Sequence, residues 1–182
     1  MKTLAIERST GDCRNGDWVE SLDLDGVERI LVGTGPGSFA GIRSALAFAQ
    51  GFALGRKCEV LGLPSPCAIA ADFFASADSR RLAVVGDARR GKIWIALFDG
   101  FRLERDVFQV ESAGLSAAVP DGYLVVTPDD RRIDALLKET FADRYLGGRT
   151  PTSAGLLAFA EACPEICKPE PLPIYLNPAV RD

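Results

Sequence analysis

A nearly uncharged helix behind a glycine-rich turn constrains the fold of this chain more than any other feature. The segment from Gly33 to Gly55 reads GTGPGSFAGIRSALAFAQGFALG. Pro36 and its flanking glycines set a sharp turn after a preceding strand, and Ser38 is a good N-cap for a helix that runs to Leu54. A helix that is apolar nearly all round is covered on nearly all sides. The sequence therefore predicts a helix enclosed by the fold or by another chain.

Small residues form two stripes along this helix. The first stripe contains Gly41, Ala45, Ala49 and Ala53, and the second contains Ala40, Ser44, Ala47 and Gly51. Such stripes let two helix axes approach at the short end of the ~8–10 Å packing range. Two interpretations follow: both faces are covered inside the fold, or one face docks on another protein chain. The residue pattern alone favours the first interpretation.

The glycine-rich turn also raises the question of phosphate binding, because helix N-termini preceded by glycine bind anions. The turn lacks the lysine of a GxxxxGK[ST] loop, and it does not match GxGxxG followed by an acidic residue at the required distance. Pro36 also removes one of the amides that a phosphate-binding loop would use. The residues therefore favour a packing helix over a phosphate site.

Composition excludes several classes of function. The chain has 182 residues, enough for one large or two small domains, and its 25 acidic and 21 basic residues give a net charge of −4. An acidic chain is a poor candidate for binding RNA or DNA alone, since phosphate binding requires clustered Lys and Arg. The chain contains no histidine, which excludes Ser-His and Cys-His hydrolase mechanisms. An enzyme built from this chain would depend on carboxylates, Lys, Tyr or backbone amides.

The cysteines and the apolar segments predict a cytoplasmic protein. No CxxC spacing occurs among the five cysteines, Cys13, Cys58, Cys67, Cys163 and Cys167, which indicates reduced and mostly buried thiols. The first ten residues do not form a secretory leader, because charged residues interrupt the apolar stretch. No apolar run reaches the ~18–20 residues that span a bilayer. We therefore expect no association with a membrane.

The chain divides into two halves in which strands and helices recur in a similar order. In the first half, strands are predicted at Lys2–Arg8, Trp18–Leu24, Arg29–Gly33 and Cys58–Leu63, with a second helix from Pro66 to about Ala77. In the second half, strands are predicted at Arg81–Asp87, Lys92–Asp99, Leu103–Val110 and Tyr123–Thr127, with helices ending at Phe141 and Ala162. The strand Lys92–Asp99 is apolar on both faces and belongs in the middle of a sheet. The order predicts a duplicated α/β unit with mixed sheets.

Several motifs resemble the bacterial TsaB (YeaZ) family. GPGSFAGIRSALAFAQGFALG is similar to that family's GPGSFTGxRxGxxxAxGLA signature, and DARRGKIWIALF is similar to its DARxGEVYxALY hairpin. LAIERST and PIYLN resemble the family's first strand and its ending. The resemblance implies two RNase H-like lobes of the actin, sugar-kinase and Hsp70 superfamily. On this chain the lobes would span residues 1–79 and 80–182.

The resemblance also implies a function without catalysis. Members of the family support the related TsaD subunit, which transfers a threonylcarbamoyl group to the adenosine beside the tRNA anticodon. The expected partners are a TsaD-like protein, a TsaE-like ATPase and, for the chain alone, a second copy, with tRNA contacted only indirectly. The interface residues implied on the helix are Phe39, Gly41, Ile42, Ala45, Ala49, Phe52 and Ala53. An older label for such proteins is glycoprotease, but the chain offers no histidine, no zinc ligand set and no nucleophile–base pair.

Active relatives with this fold hold metal-bound nucleotide at an aspartate and nearby glycines. The matching residues here would form a vestigial nucleotide site: Glu7, Ser9, Thr10, Asp87, Gly147 and Gly148. The bulky Arg8 follows the carboxylate, and the nearest glycine is delayed to Gly11. Asp87 also fits the role of a hairpin cap beside two arginines. We therefore expect no cofactor and no metal, and a protein of the same superfamily that binds ATP with Mg²⁺ is the alternative.

The sequence departs from the family between Leu22 and Arg29, where only DLDGVE intervenes. Family members carry a whole helix of the first lobe there, and a mean helix needs ~11–12 residues. That helix normally joins the Ser38–Leu54 helix in contacting the partner. Its loss leaves one flank of the helix uncovered or covered by another element. Ala40 and Asn177 also replace the family's usual threonine and arginine, so pairing with a second copy is an alternative to pairing with TsaD.

Overall fold

The computed structural model describes residues 1–10, 19–76 and 80–176. Contacts between Cα atoms divide the chain into two compact units. Unit 1 contains residues 1–68 and 151–174, and unit 2 contains residues 69–150 with the described residues after Ile174. These units divide the chain at different positions from the lobes predicted at residues 1–79 and 80–182, because the segment 151–174 returns to the first half.

Unit 1 is built on a four-stranded sheet. Its elements are β1 (Lys2–Ile6), β2 (Val27–Gly33), α1 (Phe39–Arg56), β3 (Glu59–Leu63), the start of α2 (Pro66–Phe74), α5 (Ser153–Ala162) and β10 (Lys168–Pro169). The strand order is β1-β2-β3-β10. β1, β2 and β3 run parallel, and only the short β10 is antiparallel. The carboxyl ends of the three parallel strands therefore meet at one edge of the sheet.

The parallel strands of unit 1 are covered on both faces. Ile30 and Val32 of β2 pack in one cluster with Ile42, Ala45 and other buried residues of α1. Leu31 lies between them in sequence, so its side chain points to the opposite face, and it is also buried. α5 contacts both β1 and β2. The short apolar strand predicted before the helix is confirmed as a buried parallel strand.

Unit 2 contains a six-stranded mixed sheet. Its elements are the rest of α2, β4 (Arg81–Arg89), β5 (Lys92–Asp99), β6 (Arg102–Leu103), β7 (Phe108–Glu111), α3 (Leu115–Ala118), β8 (Leu124–Thr127), α4 (Asp130–Phe141) and β9 (Tyr145–Gly148). The order is β6-β5-β4-β8-β9, and β7 also pairs with β5. β4 is antiparallel to β5 but parallel to β8, and β8 is parallel to β9. The predicted mixture of hairpins and helical crossovers is confirmed.

β5 lies in the middle of its sheet, as the two apolar faces of its sequence predict. Residues 93–98 are all buried. Ile93 and Ile95 pack with Leu137 and Phe141 of α4 in one core cluster. On the opposite face the Trp94 ring lies directly against Gly86 of β4, where a Cβ atom would collide with the indole. Glycine at this position therefore makes room for tryptophan on the central strand.

Two predicted strands differ from the structure. The described part of Trp18–Leu24 forms no strand, and Trp18 itself lies outside the described residues. β1 pairs directly with β2 instead, and Leu22 packs against the core beneath α1. The predicted strand Leu103–Val110 is two shorter strands, β6 and β7. The helices predicted to end at Phe141 and Ala162 end there, and Thr152 Oγ1 caps α5 by accepting a hydrogen bond from the Gly155 amide at 2.8 Å.

In the described part of the chain, no helix has both the length and the apolar character needed to cross a membrane. The stretch 19–26 contains no α-helix in the structure, which agrees with the expected loss of the first-lobe helix as far as the described residues extend. Asn177 lies outside the described residues.

Candidate functional site

The start of α1 is fixed by polar contacts to the segment after β1. Ser38 Oγ accepts a hydrogen bond from the Gly41 amide at 3.3 Å, which confirms Ser38 as the N-cap. The Ser38 amide donates to the Ser9 carbonyl at 2.6 Å. Gly37 has a φ of +155°, and a Cβ atom there would collide with the same carbonyl. The first turn of α1 is therefore held against residues that follow β1.

The first small stripe of α1 lies inside unit 1 and does not form an outward surface. Gly41, Ile42, Ala45 and Ala49 are buried, with Ala45 and Ala49 at 0% exposure. Ile42, Ala45 and Ala49 pack in the cluster that includes Ile30 and Val32 of β2. The prediction that these four residues contact a partner is wrong, because their side chains already fill the core of their own unit. Phe52 and Ala53 are half-buried, and Phe39 is exposed at 58%.

The second small stripe faces solvent. We call this surface the outward face of α1, and its exposed residues are Phe39, Ala40, Arg43, Ser44, Ala47, Gln50, Gly51 and Leu54. Leu54 is 87% exposed. A Cβ atom added at Gly51 would meet no heavy atom within 4 Å, so the backbone is open to close approach there. Among the described residues, the helix is therefore covered on one side by its own sheet and exposed on the other.

Two cation–π contacts border the outward face. The Arg43 guanidinium lies 4.5 Å from the centre of the Phe39 ring, and the Arg56 guanidinium lies 5.5 Å from the Phe52 ring. These contacts cover apolar rings with charged groups, as expected at an exposed helix surface. The centre of the face, around Ala47 and Gly51, has no large side chain of its own. The outward face therefore presents small residues in its middle, with an arginine towards each end.

The first group of predicted nucleotide-site residues lies where β1, β2 and β3 end. Glu7 Oε1 accepts a hydrogen bond from the Ser9 amide at 2.6 Å, so the structure brings these two residues together. The Glu7 amide donates to Ser153 Oγ at the start of α5, at 3.2 Å. Thr10 follows as a half-buried residue at the end of the described segment. The carboxylate thus serves as an acceptor within its own turn.

The second carboxyl oxygen of Glu7 points into the unit. Oε2 is buried and accepts no hydrogen bond from the described residues. A Cβ atom at Gly33 would collide with Oε2, and it would also lie 2.8 Å from Ser65 Oγ, which accepts the Gly35 amide. Burial raises the pKa of Glu7, although hydrogen bonding from Ser9 acts in the opposite direction. An inward carboxylate of this kind braces the turns around it, and its Oε2 is not available to a solvated metal ion.

The second group of predicted site residues lies at the carboxyl ends of β4, β8 and β9 in unit 2. Asp87 Oδ1 accepts the Arg89 amide at 2.7 Å, so Asp87 caps the hairpin, the role that the sequence also indicated. The Asp87 amide donates to Asp129 Oδ2 at 2.9 Å. Arg132 lies 3.7 Å from Asp87 and 3.9 Å from Asp129. Burial raises the pKa of Asp129, while the Asp87 amide and Arg132 lower it.

Gly147 and Gly148 end β9 beside this carboxylate pair. Gly148 pairs with Thr127 of β8, and a Cβ atom at Gly148 would contact the Asp130 carboxylate at 3.0 Å. Gly147 has a φ of +87°, a conformation that favours glycine. Gly148 therefore faces a carboxylate. Sequence reasoning missed Asp129 and Asp130 as members of this group, although two acidic residues separated from a parallel strand only by Pro128 are a signal that could have identified them.

The β4–β5 hairpin has an unusual backbone. Arg89, Arg90 and Gly91 have φ values of 68°, 54° and 75°. Ala88 forms a bulge between the Asp87–Ile93 and Arg89–Lys92 pairs, and Arg90 and Gly91 form the two-residue turn. Such turns favour Asn-Gly, because L-residues with side chains lose about 1–2 kcal/mol in the left-handed region. Two consecutive arginines in this conformation are costly to the hairpin.

The described cysteines do not form a metal site. Cys58, Cys67, Cys163 and Cys167 are free thiols, and Cys13 lies outside the described residues. Burial raises the pKa of Cys67 well above its usual value, and Cys163 and Cys167 contribute to the same shift. Within the ranges that the structure describes, no group of three or more His, Cys, Asp or Glu residues is arranged to hold a metal ion.

Known proteins of similar sequence and structure indicate the family to which this chain belongs. The TsaD family model, described as tRNA N6-adenosine threonylcarbamoyltransferase, matches residues 20–124, more than half of the chain. The tRNA threonylcarbamoyladenosine biosynthesis protein TsaB of Escherichia coli is 32% identical over 73 residues, which are 40% of this chain and 32% of the relative. The protein of the same description from Haemophilus influenzae is 31% identical over 75 residues, 41% of this chain and 32% of the relative. Each alignment thus spans about a third of the curated relative.

Solved structures extend the likeness over most of the chain. A Pseudomonas aeruginosa protein described as similar to the peptidase YEAZ aligns with a TM-score of 0.67 and 20% identity, over 87% of this chain and 78% of the other. A structure of YeaZ from Pseudomonas aeruginosa aligns equally well, over 86% and 78%. These alignments confirm the predicted superfamily fold of mixed sheets with helices. The relatives and structures to which the chain is similar are TsaB (YeaZ) proteins, and the chain belongs to the family that the TsaD model describes.

Proposed function

We propose that this chain is a non-catalytic scaffold that takes part in the biosynthesis of threonylcarbamoyladenosine in tRNA by docking on a TsaD-type subunit. The observation that carries the proposal is the outward face of α1. Its central residues, Ala47 and Gly51, are small and exposed, while the opposite side of the same helix is anchored in the core. An apolar helix face open to close backbone approach is suited to packing against another helix.

The geometry of the vestigial nucleotide site supports the scaffold role. Glu7 uses one carboxyl oxygen to brace the Ser9 amide and buries the other beside Gly33. The Ser9 carbonyl in turn accepts the amide of Ser38, the cap of α1. The residues that would hold a phosphate in an active relative therefore support the first turn of the docking helix. Their role in this chain is to position α1.

Association is the direct test of this proposal. The chain is co-expressed with the TsaD-type protein of its source organism, and the complex is isolated through a tag on the partner. Stable co-purification is expected, together with reduced threonylcarbamoyladenosine in tRNA when the chain is depleted. Normal levels of the modification without the chain, combined with no association, would refute the proposal. A homodimer that forms without any TsaD-type complex would assign the outward face to a second copy instead.

A nucleotide-binding protein of the same superfamily is the second candidate. The observation that favours it is the convergence of Asp87, Asp129 and Gly148 where the strands of unit 2 end. Calorimetric titration with ATP and Mg²⁺ distinguishes the two candidates. No heat of binding is expected at millimolar nucleotide, because Arg132 lies near both carboxylates and Asp87 caps its hairpin.

A further inference from the structure

The tip of the β4–β5 hairpin concentrates positive charge at a costly backbone conformation. The sequence Arg89-Arg90-Gly91-Lys92 places three cationic side chains within four residues. Arg89 and Arg90 adopt left-handed φ values that Asn or Gly would adopt more easily. Strained residues persist where function requires their side chains. In the part of the chain that the structure describes, the Arg90 side chain is exposed.

The arrangement of charges at this tip leaves its outer surface positive. The side chains of Arg89 and Arg132 are 61% and 47% exposed, whereas those of Asp87 and Asp129 are only 17% and 25% exposed. The carboxylates therefore lie beneath the guanidinium groups. Lys92 stands directly opposite Arg89 in the hairpin register, and its ammonium group lies 3.8 Å from the exposed carboxylate of Glu111. The positive charge at the outer surface of the tip therefore comes mainly from Arg89, Arg90 and Arg132.

Among the described residues, the carboxylate oxygens paired with these guanidinium groups lie beyond ordinary hydrogen-bond distance. Arg89 lies 3.5 Å from Asp87, and Arg132 lies 3.7 Å from Asp87 and 3.9 Å from Asp129. These separations exceed the ~2.7–3.2 Å of a hydrogen bond to nitrogen. An arginine in this state is attracted to the underlying carboxylate but can still offer its planar fork to a phosphate. The carboxylates thus orient the arginines without occupying them.

We propose that the hairpin tip, defined as Arg89, Arg90, Lys92 and Arg132, binds the phosphodiester backbone of the RNA on which the complex acts. The inference rests on the proposed function and adds a direct RNA contact to it. Exposed cations at the end of a hairpin, spread along the turn and the adjoining helix, match a continuous chain of phosphates better than an enclosed small anion. The contact is electrostatic and independent of base sequence.

The test measures the affinity of the chain for an unmodified tRNA transcript by fluorescence anisotropy at several salt concentrations, alone and in complex with the TsaD-type partner. The variant is R89N/R90N, because Asn suits the left-handed backbone of both positions and removes both charges. The matched control is R80N/R102N. Arg80 and Arg102 are 81% and 71% exposed and lie beside Asp99, at the other end of the hairpin. Both variants change the net charge by the same amount.

The tip variant is expected to weaken RNA binding about tenfold and to lower the slope of log affinity against log salt by about 0.7–0.9 for each phosphate that it no longer neutralises. Its Tm stays equal to or above that of the parent chain, and the control retains parent affinity. Equal weakening in both variants, or unchanged affinity in the tip variant, overturns the proposal. So does an absence of RNA binding by the parent chain in both states.

Co-purification separates this proposal from the function on which it rests. If the tip variant no longer binds the partner protein, the hairpin is a protein-binding surface and the RNA proposal is wrong. If the parent chain never associates with the TsaD-type subunit but its RNA affinity falls only in the tip variant, the scaffold proposal fails and the RNA contact stands. Retained association with selectively weakened RNA binding supports both.

Discussion

Gly51 provides the sharpest test of docking through α1. It lies in the interior of an 18-residue helix, is exposed, and has no heavy atom within 4 Å of the position of an added Cβ. Glycine in a helix interior costs roughly 0.5–1 kcal/mol relative to alanine. Gly51→Ala and Gly51→Arg are therefore expected to raise the free energy of unfolding of the isolated chain by about 0.5–1 kcal/mol. For a chain of this size, each kcal/mol corresponds to about 2–4 °C in Tm.

The buried stripe gives the opposite expectation. Ala49 is 0% exposed and packs in the core cluster of unit 1. Arginine at this position must either bury an unpaired charge or force α1 away from its sheet, at a cost of about 3 kcal/mol or more. Ala49→Arg should therefore lower the Tm strongly or prevent folding. Positions 49 and 51, two residues apart, distinguish the inner and outer sides of the helix.

Gly51→Arg should weaken the complex even though it stabilises the isolated chain. The backbone at Gly51 is open, and a partner helix approaching there would collide with an arginine side chain. Gly51→Arg is expected to weaken association with the TsaD-type subunit at least about tenfold, or roughly 1.4 kcal/mol, while the isolated variant is more stable than the parent. Light scattering coupled to size exclusion measures the complex, and thermal unfolding measures the chain alone. Ala135→Arg, at an exposed position on α4 of unit 2, controls for the added charge.

Two results would refute this reasoning. If Gly51→Arg lowers the Tm of the isolated chain, Gly51 is not open as described. If Gly51→Arg is stable and binds the partner as tightly as the parent while Ala135→Arg does the same, the outward face is not the docking surface. The scaffold proposal would then lose the observation that carries it.

Three further predictions concern stability and titration. Burial raises the pKa of Glu7, so between the unfolded and folded pKa values the folded chain binds a proton that the unfolded chain has released, and stability falls as pH rises through this range. Glu7→Gln should remove this pH dependence in denaturant titrations and raise the free energy of unfolding by about 1–3 kcal/mol at neutral pH. An unchanged pH dependence would contradict this. Gly86→Ala should destabilise by about 1–3 kcal/mol, because the new methyl group collides with the Trp94 indole, and near-ultraviolet circular dichroism of that indole should change with it. Burial raises the pKa values of Tyr123 and Tyr145 to about 12, with the carboxylates of Glu104 acting on Tyr123 and Asp134 on Tyr145. Ultraviolet absorbance should therefore show both phenols protonated at pH ~10.5. Ionisation of either phenol with a midpoint near 10 in the folded chain would contradict this.

Local signals predicted most of the secondary structure. The cap at Ser38, the apolar run before it and the ends of α4 and α5 each depend on a few adjacent residues, so the sequence identifies them directly. The position of β5 in the middle of its sheet follows from its two apolar faces. The strand predicted at Trp18–Leu24 was wrong within the described residues: β2 pairs with β1 on one edge, and no described strand pairs with the other edge of β1. Pairing partners are decided outside the segment that carries the pattern.

The sequence did not identify which stripe of α1 is buried. Both stripes are small, and neither alone predicts a direction. A signal was nevertheless present: the second stripe contains Ser44 and is flanked by Arg43 and Gln50, whereas Ile42 and Leu46 lie beside the first. A charged residue and two polar ones are enough to set the solvent side of an otherwise apolar helix. The residues taken from the family resemblance obscured this signal, because the buried and exposed stripes both fit the motif.

The topologies of the two units show why the described residues leave one side of α1 exposed. In unit 2, β4, β8 and β9 form a parallel series, and unit 1 repeats this series as β1, β2 and β3. α4 follows the second strand of its series, as α1 does, and α4 is packed by α3. The chain between β4 and β8 contains three strands and α3. The described residues between β1 and β2 contain no strand, and of their side chains only Leu22 packs against the core beneath α1.

That difference has an energetic consequence. Apolar surface costs about 25 cal/mol for each Å² left in water, and a helix with no neighbour on one side retains that cost until another chain covers it. The small residues at Ala47 and Gly51 reduce the exposed apolar area and at the same time permit close approach. The described part of the connection between β1 and β2 therefore leaves a surface that is tolerable in the isolated chain and favourable in a complex. Inserting a helix at this connection should stabilise the isolated chain and weaken its association with the TsaD-type subunit. Stronger association after such an insertion would show that the outward face of α1 is not the binding surface.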